Sequence, residues 1–220
     1  MAYVDFISNV HKSTKRNYVK RVNEFSKAEA AEKARQWGYD YWDGDRKICY
    51  GGYYYDGRWE KVARAMVEYY GLRPGDKVLD VGCGKGFLLY DFTQVLPGLE
   101  IIGIDISKYA VENAKEEVKP YLQNGHANNL PFEDNSFDLV LSITTLHNLY
   151  CYECFSALKE IERVRRKNSY ICMESYRTEQ EKVNLLYWQV TCEMFCTPEE
   201  WQWWFDQAGY TGDHSFIYFE

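Results

Sequence analysis

The sequence predicts an α/β fold built on a doubly wound, mostly parallel sheet, and three observations carry that prediction. From Lys77 onward, short apolar runs alternate with longer segments of helical period, the pattern of parallel strands joined by crossover helices. The first run passes directly into a glycine cluster, "VLDVGCGKG", Val78 to Gly86, where backbone must approach a ligand closely. Asp80 and Asp105 stand at the ends of two successive runs, facing the crevice in which such sheets bind their ligands.

Taken in order, "KVLDVG" reads as a strand and "FLLYDFTQVL" as a helix, then "EIIGIDI" as a strand. "KYAVENAKEEVKPYL", with acids early and lysines late, reads as the next helix. "FDLVLSI" is a strand, "CYECFSALKEIERVRR" a helix and "SYICMES" a strand; Ser142 falls near a strand end. "EQEKVNLLYWQVTCEMF" is again helical. In "TPEEWQWWFDQAGY", Thr197 caps a helix with Pro198 in its first turn and Glu200 completing a capping box, and Gly209 ends it. "TGDHSFIYFE" supplies a last strand, with no clear second one after it.

Upstream of Lys77 the character changes. "YVDFISNVHKSTKRNYVKRVNEFSKAEAAEKARQWG" reads as one or two amphipathic helices. The Tyr-, Gly- and Asp-rich "YDYWDGDRKICYGGYYYDGRW" has neither period and reads as an ordered loop over the site. The expected organisation is an extension over 1–68 and a ligand-binding domain over 69–220, with a substrate-covering insertion around 176–197.

The chain holds 26 basic and 33 acidic residues for a net charge of -7, which argues against a nucleic-acid binder held by phosphate contacts. No window reaches the roughly 18 apolar residues of a membrane span, and the first residues lack a signal-peptide run. A cytoplasmic chain with reduced thiols and no metal is expected. Cys151, Cys154, Cys192 and Cys196 have the numbers for a zinc site, but the first two sit in a helical pattern where cysteine is ordinarily a small buried hydrophobe.

The glycines separate two classes of ligand. Dinucleotide loops ask for G-x-G-x-x-G; here Phe87 occupies the third glycine's place and Gly86 comes one residue early. Asp80 would repel a pyrophosphate and attract an ammonium or sulfonium group. Asp105, ending the next strand, is placed to accept both hydroxyls of a ribose. A ligand with a ribose, a cationic amino-acid end and no phosphate is S-adenosylmethionine.

"VLDVGCGKG", "IIGIDIS", "LPFEDNSFDLVLS" and "EIERV" together resemble the class I S-adenosylmethionine-dependent methyltransferases, particularly the small-molecule type. The resemblance spans Tyr69 to Ser175 and implies a Rossmann-like sheet, here possibly lacking its last strand. It implies that Asp80 and the loop residues Gly82, Cys83 and Gly84 hold the methionine end, and that Asp105 binds the ribose with Ile106 beside the adenine. His126 stands where the family tends to place an Asp for the adenine amino group, so that contact falls to His126 or shifts to Ala127 and Asn128. Ser142 is implied to pass near the reactive methyl.

Acceptor-side candidates are softer. Tyr50 to Trp59 reads as a lid or, equally, as aromatic packing; Arg46 just before it or Arg58 within it could clamp a carboxylate or phosphate on the substrate or the cofactor's own carboxylate, or each could simply pair with Asp43, Asp45 or Asp56. His147 is the candidate base or a core histidine, with Tyr53 from the lid and Glu193 as further catalytic candidates. The expected acceptor is an O or N atom of a small polar metabolite, with a sugar or polysaccharide precursor preferred. A non-catalytic cofactor-binding partner subunit, and an RNA or protein methyltransferase docking through Lys12 to Arg21, remain as alternatives. Trp201, Trp203 and Trp204 suggest packing or a homodimer surface.

Overall fold

The computed structural model describes residues 1–220. Upstream of the first strand the chain forms five helices, α1 (Ser8–Lys12), α2 (Tyr18–Glu24), α3 (Lys27–Ala34), α4 (Tyr39–Trp42) and α5 (Glu60–Tyr70), the last running past the boundary expected at residue 68. β1 (Lys77–Val81), α6 (Phe87–Val95), β2 (Glu100–Asp105), α7 (Lys108–Glu112), β3 (Leu122–Asn124) and β4 (Phe137–Ile143) follow. The chain continues through α8 (Cys151–Val164), β5 (Arg165–Ser175), α9 (Glu179–Trp188), α10 (Pro198–Ala208) and β6 (Asp213–Tyr218).

The six strands run in the order β3-β2-β1-β4-β5-β6 and every pairing is parallel. Strand order reverses between β1 and β4, so a crevice opens beyond their carboxyl ends. β4 is buried along its whole length, as a central strand covered on both faces must be. A core cluster lies on either side: Val78, Leu89 and Leu141 belong to one, Leu79, Val140 and Leu158 to the other. Beyond β6, residues 2–4 form a short parallel bridge in which the Val4 amide donates to the His214 carbonyl and the His214 amide to that of Ala2.

Two elements differ from the sequence expectation. The segment read as one helix from Lys108 to Leu122 is helical only to Glu112; a single 3-10 turn follows at Lys119–Tyr121, and Leu122 begins a strand. The Lys115 amide donates to the Lys85 carbonyl instead of continuing the helix, and Pro120 could not have donated at all. "RRKN" belongs to β5 rather than to α8: Arg166 bonds the buried Asp138 of β4, which ties this stretch to the sheet.

Trp201 is fully buried and its indole donates to the Glu174 carbonyl at 2.9 Å, whereas Trp203 is exposed. No group of three or more His, Cys, Asp or Glu side chains is placed to hold a metal ion. No helix is long and apolar enough to cross a membrane.

Candidate active site

At the end of β1 the chain turns through Gly82, Gly84 and Gly86, all at positive φ. The amides of Gly82 and Cys83 both donate to the Ile104 carbonyl of β2, and that of Gly84 donates to Asp105 Oδ2 at 2.8 Å. A Cβ on Gly82 would lie 2.1 Å from Thr145 Oγ1, and one on Gly84 2.8 Å from the Trp42 ring. Glycine at these two positions is therefore demanded by both backbone and space.

Around this loop lies a cavity of about 350 Å³. Asp80, Gly82, Cys83, Gly84, Asp105 and Ile106 line it at the ends of β1 and β2. His126 and Glu153 line it too, as do Ile143, Thr144 and Thr145 at the end of β4. Tyr41, Trp42, Tyr50 and Tyr53 of the extension form the cover.

Asp80 is the decisive group. Its side chain is buried and makes no hydrogen bond within the chain. Burial, with the charge of Asp105 behind it, pushes its carboxyl up to about 7. A buried, unpaired carboxylate is costly unless something cationic meets it. Asp105 is oriented differently: Oδ1 accepts the Ser107 amide at 2.7 Å and Oδ2 the Gly84 amide. These amides oppose the upward push of burial and leave further lone pairs facing the cavity for hydroxyl donors.

The extension is locked onto the loop by Lys85, whose buried ammonium contacts both oxygens of Asp43 at 2.7 Å and the Tyr53 carbonyl at 2.9 Å. Trp42 Nε1 donates to Ser107 Oγ at 2.8 Å. Lys85, Trp42 and Thr145 escaped the sequence reading, and Asp43 entered it only as a partner for Arg46 or Arg58, whereas it holds Lys85. Lys85 carried a signal, since it is a cation inside the glycine loop with an acid-rich segment upstream to pair with.

The remaining candidates divide. His126 faces the cavity, with Nδ1 accepting the Asn128 amide at 3.3 Å and Nε2 4.0 Å from Glu153. Ala127 and Asn128 lie outside the lining; Ala127 packs against a core cluster. Ser142 is also outside, since its fully buried hydroxyl donates to the Val81 carbonyl at 2.9 Å and its neighbour Ile143 takes the cavity position. Arg58 does not reach Asp80's cavity, because Asp56 holds it at 2.6 Å. Glu193 lines the cavity but pairs with Arg35 at 2.7 Å.

A second cavity of about 450 Å³ adjoins the first, sharing Tyr41, Tyr50, Tyr53, Trp59, Thr144 and Asn148 as a common wall. His147 lines this second space only, with Nε2 3.3 Å from Glu174 Oε2. Burial lowers the His147 imidazole to about 3 and raises the Glu174 carboxyl to about 8, the latter against a hydrogen bond from Gln189 and the charge of Arg16. Burial thus favours the uncharged form of each group.

A protein family described as a methyltransferase domain matches residues 72–209. The chain belongs to that family. The demethylmenaquinone methyltransferase of Symbiobacterium thermophilum is 41% identical over 128 residues, covering 54% of this chain and 50% of that one. The YcgJ protein of Bacillus subtilis has a solved structure that superposes with a TM-score of 0.55 at 26% identity, over 66% of each chain. The [4+2]-cyclase SpnF shares the fold at a TM-score of 0.55 and 23% identity, over 68% of this chain and 57% of that one. The chain spans about half the length of the curated relatives it matches. The methyltransferase domain thus has the Rossmann-like sheet of its family, with all six strands parallel.

Proposed function

We propose that this chain is an S-adenosylmethionine-dependent methyltransferase of the cytoplasm, moving a methyl group to an O or N atom of a small polar acceptor. One observation carries the reading: the buried Asp80 carboxylate, without a protein partner, at the mouth of a glycine loop that leaves no room for side chains. The residues present fit the cofactor. Asp80 would meet its cationic amino-acid end, Asp105 its ribose hydroxyls, and Ile106 and His126 would flank its base. When bound, the cofactor supplies an electrophilic methyl carbon, and displacement there asks the protein chiefly for alignment and dryness.

This chain's residues supply both. Tyr41, Tyr50, Tyr53 and Trp59 line both cavities with apolar ring surface, and the Lys85 to Asp43 ion pair holds that cover on the loop. His147, held low by its burial, is a weak base, so proton removal rests on the acceptor's own acidity. Arg16 and Arg21 turn inward to line the second cavity, which weakens the case for a nucleic-acid docking face on Lys12 to Arg21. The sugar preference has no support, since the relative named above is a quinone methyltransferase by name.

Calorimetric titration with S-adenosylmethionine, S-adenosylhomocysteine and NAD tests the proposal. Micromolar binding of the first two and none of NAD is expected. Absence of binding by the first two, or binding of NAD, overturns it.

A further inference from the structure

We propose that the second cavity is the acceptor site and that it takes a small anionic acceptor, whose carboxylate or phosphate is held by Arg16, Arg21 and Arg46. Calling this ligand an acceptor rests on the methyltransferase reading; the anion preference stands on the cavity itself.

The three guanidinium groups surround one indole, at 5.3, 4.8 and 5.3 Å from the Trp188 ring. None has a carboxylate within ion-pairing distance. Their hydrogen bonds go to neutral groups. Arg16 bonds the carbonyls of His11 and Thr14 and the His11 ring, Arg21 the carbonyls of Trp188, Arg46 and Ile48, and Arg46 those of Cys49 and Tyr50. Donors are left over: Arg16 Nε is buried without a partner, and Arg46 uses only Nη1. The fourth arginine of the lining, Arg58, is neutralised by Asp56.

No carboxylate of the lining pairs with these three arginines, although the charge of Arg16 acts on Glu174. Glu174 is the lining's only acidic residue, and burial keeps that carboxyl protonated up to about 8. His11 is held down to about 4 and His147 to about 3, so both are neutral. A chain of net charge -7 has gathered three like charges around one cavity whose only acid is the buried Glu174. Clustered guanidinium groups with free donors match the fork geometry of carboxylate and phosphate. The wall shared with the first cavity lets the other end of such a molecule face the cofactor's side.

The test is calorimetry with benzoate, phenyl phosphate and neutral benzamide, on the protein alone and saturated with S-adenosylhomocysteine. At least one anion is expected to bind about tenfold or more tightly than benzamide, and which anion does so names the group. Arg16→Gln and the more exposed Arg46→Gln should each weaken the anion about tenfold while S-adenosylhomocysteine binds as before. Equal binding of benzamide, no binding of either anion, or anion binding unchanged in both variants overturns the proposal. So does a loss of S-adenosylhomocysteine affinity in the variants, which would give the arginines to the cofactor's own carboxylate. If wild-type protein fails to bind S-adenosylhomocysteine, the cofactor reading falls, while the titrations of the protein alone still decide this one.

Discussion

The two adjoining cavities are built in opposite ways. The floor of the first is made at consecutive strand ends, from a glycine turn, two aspartates and the amides that fix one of them, beneath an aromatic cover. The second is made by side chains drawn from 7–21, 41–59, 144–148, 174–191 and 217–219. Backbone-built sites leave a local signature in the sequence, whereas side-chain-built ones are scattered through it. That difference sets both what mutation should do to each cavity and what could be read in advance.

The largest effect should come from adding one carbon to the first cavity. Gly82→Ala forces a Cβ into Thr145 at a φ of +86°, a strain of about 1–3 kcal/mol before the clash is counted. Isothermal titration should show cofactor affinity falling more than about a hundredfold. Gly52 of the second cavity also has positive φ, +100°, yet nothing lies within 4 Å of its Cβ position. Gly52→Ala should leave cofactor affinity intact; equal damage from the two would erase the contrast between the cavities.

Next comes the charge on Asp80. With its carboxyl at about 7 in the free protein, a cationic ligand that requires the ionised form must displace a proton at lower pH. Affinity for S-adenosylmethionine should rise with pH up to about 7 and level off above it, by as much as about tenfold per unit on the steep side. Asp80→Asn should weaken binding by about tenfold or more and flatten that profile. A steep profile surviving in the variant would assign the proton elsewhere.

A smaller effect belongs to Glu174 in the second cavity. Its folded value, about 8, is raised from the ordinary 4.5, so the folded state holds a proton that the unfolded state has released. Stability must therefore fall as pH rises from about 5 to 8. His147 and Asp80 have completed most of their own changes by about 7, which leaves pH 7 to 8 as the diagnostic window. Glu174→Gln should remove a decline on the order of 1 kcal/mol there, read from denaturant midpoints. The smallest effect is expected from Ser142→Ala, which deletes one buried hydrogen bond to Val81 at about 1 kcal/mol and should leave cofactor affinity unchanged.

Legibility followed the same division. The sheet, the glycine loop, Asp80 and Asp105 were readable because strand period, positive-φ glycine and strand-end acids are local properties. Only the first residue of β3, Leu122, fell inside the apparent helix and the rest of that strand was unassigned; the Lys115 to Lys85 hydrogen bond that diverts the chain beyond α7 joins residues 30 apart in sequence. His147 and Arg58 each carried two readings in sequence, a chemical role or a structural one; Asp56 pairs with Arg58 as the structural reading had it, and the distant Glu174, 3.3 Å from His147, could not be foreseen. Arg16 and Arg21 entered the sequence reading only within the Lys12 to Arg21 docking stretch, whereas distant groups, the Trp188 and Phe219 rings and the Arg46 and Ile48 carbonyls, turn them inward.

The bridge between residues 2–4 and β6 bears on the order in which the molecule assembles. The Ala2 amide reaches Asp213 across 211 residues of chain, and the second cavity takes walls from Ile7 to Arg21 on one side and from Ile217 and Phe219 on the other. Contacts of such long range are entropically late. During synthesis β1, β2 and β4 have emerged while β6 is still to be made, so the glycine loop can take shape well before the arginine-lined space closes. A ribosome stalled in α10 should therefore carry a nascent chain able to form the loop's local hydrogen bonds, with the second half of its pocket still open to solvent.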